Sequence, residues 1–167
     1  VDSLNVFPVP DGDTGTNMSL TMSSAAKAAQ MKEYTQIGAA AKAVSYGALM
    51  GARGNSGVIL SQILAGFAKK SEDYDKLAAL DFAEALENAA KTAYQAVSNP
   101  VEGTILTVCR EASSAALTAA KNDGSTIETV LAAAHHAAIE ALKLTPTMLP
   151  VLQQAGVVDA GGQGYVF

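Results

Sequence analysis

Small and apolar residues recur at three- and four-residue spacing along almost the whole chain, and no apolar–polar alternation survives over five residues. Met18 to about Lys32 predicts a first helix, with Asn17 or Thr16 as its N-cap. Thr35 to Met50 repeats Ile37, Ala40, Ala41, Val44 and Ala48 at helical spacing. Gly51 to Gly57 interrupts it, and Val58 to Lys69 resumes a helix. Ser71 to Lys76 is a polar connector. Asp81 to Val97 places Phe82, Ala85, Leu86, Ala89, Ala93 and Ala96 on one face, and Asn99-Pro100 ends it. Ile105 to Lys121 and Thr126 to Leu142 follow, separated by the turn Asn122-Asp123-Gly124-Ser125. Pro146 and Pro150 bracket a short segment before the glycines of 161–164. This pattern predicts one domain over 1–167, an all-α antiparallel up-and-down helix array.

Composition sharpens that picture. Alanine is about one residue in five, Trp is absent and aromatics make up 5% of the chain. Small side chains let helices approach closely, and Ala is the best helix former. The formal charge of −5 argues against a nucleic-acid surface. The single Cys109 allows no internal disulfide and fits a reducing, cytoplasmic setting. No run approaches the ~18 apolar residues of a membrane span. A start at Val1 and an apolar Tyr165-Val166-Phe167 end read as boundaries cut inside a larger protein.

The interruptions carry the chemistry. In Pro8-Val9-Pro10-Asp11-Gly12-Asp13-Thr14-Gly15-Thr16-Asn17-Met18, two carboxylates one residue apart precede a helix. At neutral pH they repel unless a cation is recruited. Hard oxygens of this kind suit Mg²⁺, which takes one or two carboxylates and completes its shell with water and phosphate. Thr14 to Asn17 then offer helix-terminal N–H groups to an anion. A Mg²⁺–nucleotide satisfies both halves of the segment, and a solvated turn is the alternative. An EF-hand fails, because positions five, six and twelve from Asp11 hold Gly15, Thr16 and Met22. A Walker A loop is excluded by the lack of Gly-Lys-Ser or Gly-Lys-Thr.

Two further glycine-rich stretches, Gly51–Gly57 and Gly161–Gly164, and the shorter Glu102-Gly103-Thr104 fall at alternate junctions. In an up-and-down array such junctions gather at one end and line one mouth. Arg53-Gly54-Asn55-Ser56-Gly57 alone reads equally as a helix-capping loop, and Arg53 as a surface residue. Asp159 is a helix cap or a nucleotide contact. His135 and His136 have no ligand partners nearby and read as surface or packing residues, and Cys109 as a small core residue.

Taken in order, Asp11–Met18, Gly51–Gly57, Glu102–Thr104 and Asp159–Gly164 resemble the nucleotide-binding, L-subunit-like domain of the dihydroxyacetone kinase family. The longer run Asn5-Val-Phe-Pro-Val-Pro-Asp-Gly-Asp-Thr-Gly-Thr-Asn-Met18 closely resembles the N-terminal domain of the ATP-using component of bacterial fatty acid kinase. The resemblance implies an eight-helix antiparallel barrel that binds ATP or ADP with two Mg²⁺ at one end. It implies Asp11 and Asp13 as metal-holding, catalytic residues. Thr14, Gly15, Thr16 and Asn17 would hold phosphates together with Asn55 and Ser56. Thr104, Asp159, Ala160 and Gly161 would frame the nucleoside. The dihydroxyacetone kinase module carries a third metal aspartate five residues before the first; here that position is Val6, and Asn5 is the nearest candidate. A family domain also begins and ends with a further helix, and neither is visible in this pattern.

The implied activity is phosphorylation of a fatty-acid carboxylate presented by a separate carrier subunit, giving an acyl phosphate for phospholipid synthesis. The carrier would dock outside these residues, and a second copy of the full-length protein is a further expected partner. The alternatives are an L module acting on a small keto sugar or as an ADP phosphorelay, and a non-catalytic nucleotide sensor.

Overall fold

The computed structural model describes residues 1–167 and is entirely helical. A 3₁₀ turn at Asp2–Leu4 precedes six long helices: α1 (Thr14–Gln30), α2 (Ile37–Gly51), α3 (Gly54–Ser71), α4 (Ala79–Ala96), α5 (Ile105–Ala120) and α6 (Ile127–Met148). Two short ones, α7 (Pro150–Ala155) and α8 (Ala160–Val166), follow. Short connections join the six long helices, and each of these packs on the next in the opposite sense. Gly47 and Gly51 of α2 lie against Ala28 and Ser24 of α1, while Gly38 at the other end of α2 lies against the end of α3. Gly66 of α3 touches Asn88–Thr92 of α4, and Gly103 before α5 touches Thr145 and Met148 near the end of α6. The antiparallel array expected from the pattern is therefore present.

Its core is built from small side chains. Val108, Ala112 and Ala116 of α5 pack with Val130, Ala134 and Ala138 of α6 in one cluster. A second joins Met18, Leu60, Ile63, Ala89, Ala93, Ile105, Leu106 and Cys109 across α1, α3, α4 and α5. Ala faces bring the helix axes close and bury area without much side-chain entropy cost. Cys109 is 1% exposed, and burial pushes its thiol up to about 11, as befits a core residue. His135 and His136 lie exposed on α6.

Three helix boundaries differ from expectation by four residues or more. α1 starts at Thr14 rather than Met18, with Asp13 as N-cap. α3 starts at Gly54 rather than Val58, so the glycine-rich interruption shrinks to Ala52-Arg53. Glycine and hydroxyl residues read as loop but are tolerated in a first turn, where half the backbone groups need outside partners anyway. α6 continues through Pro146 to Met148. Pro146 cannot donate to the Leu142 carbonyl one turn back, but the Thr145 hydroxyl donates to it instead at 2.7 Å.

The chain also ends in a helix, contrary to the pattern reading. α8 is initiated by Asp159, whose Oδ2 accepts the Gly162 N–H at 2.7 Å. Its glycines let it lie against Ile105 and Val108 of α5, Leu142 of α6 and Met18 of α1. This short helix thereby ties the last long helices to the first. No helix is long and apolar enough to cross a membrane.

Candidate functional site

The start of α1 and the α2–α3, α4–α5 and α7–α8 junctions meet at one end around a cavity of about 480 Å³. Of the residues singled out in the sequence, Asn5, Asp11, Asp13, Thr14, Asn55, Ser56, Thr104, Asp159 and Gly161 line it. Gly15, Thr16, Asn17 and Ala160 do not. Thr16 is turned to Asp2, its N–H donating to Oδ1 at 2.9 Å and its hydroxyl to Oδ2 at 2.8 Å. Asn17 packs against Gly54, and Ala160 is buried beneath the wall.

Asp11 and Asp13 are both exposed, and neither forms an ion pair. Asn5 is buried and donates from Nδ2 to Asp11 Oδ1 at 2.6 Å. The span from Asn5 to Asp11 carries Pro8 and Pro10, and the Phe7-Pro8 peptide within it is cis. Two accessible carboxylates and one carboxamide, with no third acidic, His or Cys side chain gathered beside them, do not make an all-protein cage. They do fit a hard cation that fills its remaining positions with water and phosphate oxygens.

Across the α2–α3 junction, Gly54 takes φ 57° and turns the chain into α3. A side chain there would be strained, which accounts for glycine at this sharp entry. No side chain caps α3, so the first-turn N–H groups of Asn55 and Ser56 are left to an outside partner at the positive end of the helix dipole. The Ser56 hydroxyl donates to the Thr14 carbonyl at 3.4 Å and links the two helix starts. Arg53 lies outside the cavity, exposed, with Nη1 donating to the Ala52 carbonyl. The wall therefore holds three aspartates and no Lys, Arg or His.

A family model described as the DAK2 domain matches residues 8–167. The chain belongs to the DAK2 domain family. It is 51% identical to Protein YloV of Bacillus subtilis and 52% identical to an uncharacterized protein of Staphylococcus saprophyticus, over 98% of this chain in each case. An uncharacterized protein of Staphylococcus aureus is 50% identical over the same share. The chain spans 30% of the length of each of these relatives. DAK2 domains are kinase-related modules that bind ATP or ADP, which suits a cavity of this size and lining.

Asp159 occupies a different environment in this DAK2 domain. It is 5% exposed, its Oδ2 is engaged by Gly162, and its own N–H donates to Thr145 Oγ1 at 3.0 Å. Burial pushes its carboxyl up to about 6, only partly countered by the Gly162 and Ile105 amides. Asp159 thus caps α8, as one sequence reading had it, and also lines the cavity.

Motif reading passed over further residues at this cavity of the DAK2 domain. Val58, Ile59, Val97, Val101, Ile105 and Leu106 supply apolar lining to the cavity, as Ser98 and Asn99 supply polar lining. Behind it, Glu102 accepts from Arg110 Nη1 at 2.6 Å, Thr107 Oγ1 at 2.6 Å and Tyr94 at 3.0 Å. Burial raises the Glu102 carboxyl, but these donors outweigh it and hold the group below its usual range. The Thr107 hydroxyl also accepts the Gly103 N–H at 2.9 Å, so the network pins the turn that starts α5. A Glu eight residues before an Arg gave no local signal for this; only the α4–α5 packing brings Tyr94 in.

Proposed function

We propose that this domain binds ATP as its Mg²⁺ complex and supplies the γ-phosphoryl group to the carboxylate of a fatty acid. The acceptor, presented by a separate carrier subunit, becomes an acyl phosphate for phospholipid synthesis. The observation that carries the reading is the wall of three aspartates without a cationic side chain, faced by the uncapped start of α3. A polyphosphate enters such a cavity only with a cation that neutralises it.

Asp11 and Asp13 would hold the cation, with the Asn5 amide oxygen as a third donor, and the resemblance argues for two Mg²⁺. The metal supplies charge neutralisation on the transferring phosphoryl group. The N–H groups of Asn55 and Ser56 bind phosphate oxygens, and Thr14 lines the same side. Thr104 and Asp159–Gly161 flank the nucleoside, whose base rests against the apolar lining supplied by Val97, Val101, Ile105 and Leu106. Phosphoryl transfer is mostly positioning and electrostatics, so these rigid helix starts are suited to it.

A carboxylate acceptor is already ionised at neutral pH and needs no base. A sugar hydroxyl does need one, and Asp159 is tied to Gly162 rather than free. That difference favours the fatty acid over the keto sugar of a dihydroxyacetone kinase-type L module. The test is phosphoryl transfer from γ-labelled ATP by the full-length protein, offered carrier-bound fatty acid or dihydroxyacetone. Label in an acyl phosphate supports the reading. Label in the sugar phosphate alone contradicts it, and nucleotide binding without transfer to either points to the sensor.

A further inference from the structure

An aspartate at a helix N-cap ordinarily turns its own side chain back to the second or third amide of the helix. Asp13 occupies the N-cap of α1 and makes no such bond. The third amide, Thr16 N–H, goes instead to Asp2 Oδ1 at 2.9 Å, and the Thr16 hydroxyl goes to Asp2 Oδ2 at 2.8 Å. The Gly15 N–H also faces this carboxylate and, with Thr16, holds it below the usual range. A side chain at residue 15 would press on Asp2 and Val1, so the close approach requires glycine there. The 3₁₀ turn carrying Asp2 packs on α1 and α8, and its C-cap is Asn5, the residue that contacts Asp11.

We propose that Asp2 is a positioning residue for the cation site, capping α1 in place of Asp13 so that the Asp13 carboxylate stays free in the cavity. This rests on the reading that Asp11 and Asp13 hold a cation. One contact then does two jobs. It satisfies the start of α1 without using a ligand, and it anchors the turn that brings Asn5 to Asp11. It also closes the α1 terminus to phosphate, which leaves the α3 terminus as the anion-binding one.

The test compares the wild-type protein with D2A, D2N and T16V. Mn²⁺ affinity is read by electron paramagnetic resonance with a non-hydrolysable ATP analogue bound, analogue affinity by calorimetry, and folding by thermal melting. With Asp2 removed, Asp13 turns to its own helix, and D2A loses about tenfold in Mn²⁺ affinity, within the range of partners that orient metal ligands. D2N keeps a carboxamide oxygen for the Thr16 N–H, and Asn caps as well as Asp, so it stays within about threefold of wild type. T16V keeps the backbone bond but not the hydroxyl and falls between them.

A lower melting temperature for D2A with unchanged Mn²⁺ affinity overturns the proposal. So does tighter analogue binding in D2A, the result if Asp2 merely competes with phosphate for α1. If D2A does not fold, T16V decides, and unchanged Mn²⁺ affinity there overturns it. Wild-type protein without cation-dependent analogue binding overturns the Asp11–Asp13 reading and the proposal together. Wild-type binding with an unaffected D2A overturns the proposal alone.

Discussion

The cavity wall treats its aspartates in two opposite ways. At the start of α1, Asp11 and Asp13 are exposed and bonded to no backbone donor, with a carboxamide from Asn5 as the one polar side chain bonded to either. At the start of α8, Asp159 is buried, engaged by Gly162 and pushed up to about 6. The same side chain thus stays exposed and uncommitted in one place and works as internal scaffolding in the other. Burial and hydrogen-bond commitment decide which, and residue type alone does not.

Removing an available carboxylate is the strongest way to break this contrast. D11N and D13N are each expected to weaken Mg²⁺-dependent ATP-analogue binding roughly 100- to 1000-fold, more than the 10- to 100-fold typical of outer partners. Both groups are exposed, so the melting temperature stays near wild type, with stability changes within about 0.5 kcal/mol. Calorimetric titration and thermal melting on the same samples read both numbers. A large melting shift with intact binding would reverse the roles assigned to the two regions.

The scaffolding carboxylate has the complementary signature. Its folded-state value of about 6 lies above the ordinary 3.8, so its contribution to stability is full below about pH 4 and is lost as pH rises through 6. At 1.36 kcal/mol per pH unit that interval is worth roughly 3 kcal/mol at most. D159N stays neutral and keeps an acceptor for Gly162, so its stability gain over wild type is largest near pH 8 and vanishes near pH 4. Denaturant melts across that range check it. A difference independent of pH contradicts the buried, scaffolding assignment.

The hydroxyl behind Asp159 comes next in size. T145V leaves the Leu142 carbonyl without its donor and the Asp159 N–H without its acceptor in a fully buried site. The expected cost is about 2 kcal/mol of stability, measured by urea unfolding. The smallest effect belongs to the outer clamp. Arg110 and Glu102 have side chains 44% and 50% exposed, so R110A costs at most about 1 kcal/mol and less in high salt. Melting at two ionic strengths separates these contributions.

The helical framework was legible because the apolar positions of α2, α4 and α5 follow one period without interruption. Convergence of the glycine-rich junctions was legible too, since alternate junctions of an up-and-down array must share an end. The helix starts were not. Thr14–Asn17 and Gly54–Gly57 have loop-like composition, yet both are first turns of helices, the former capped from outside by Asp2. Pro146 reads as a terminator until the Thr145 hydroxyl supplies the missing donor. Asp2 itself carries no local signal, because its partner lies fourteen residues away. Contacts that a chain makes with its own distant parts are the ones pattern reading misses, and here they shape the cavity.

On the proposed function, the three-aspartate wall admits a nucleotide only together with a cation. Titrating the wild-type protein with a non-hydrolysable ATP analogue, with Mg²⁺ and again in excess chelator, tests it most directly. The expected result is saturable binding with Mg²⁺ that falls at least about 100-fold on its removal. Equal affinity with and without the cation would contradict it.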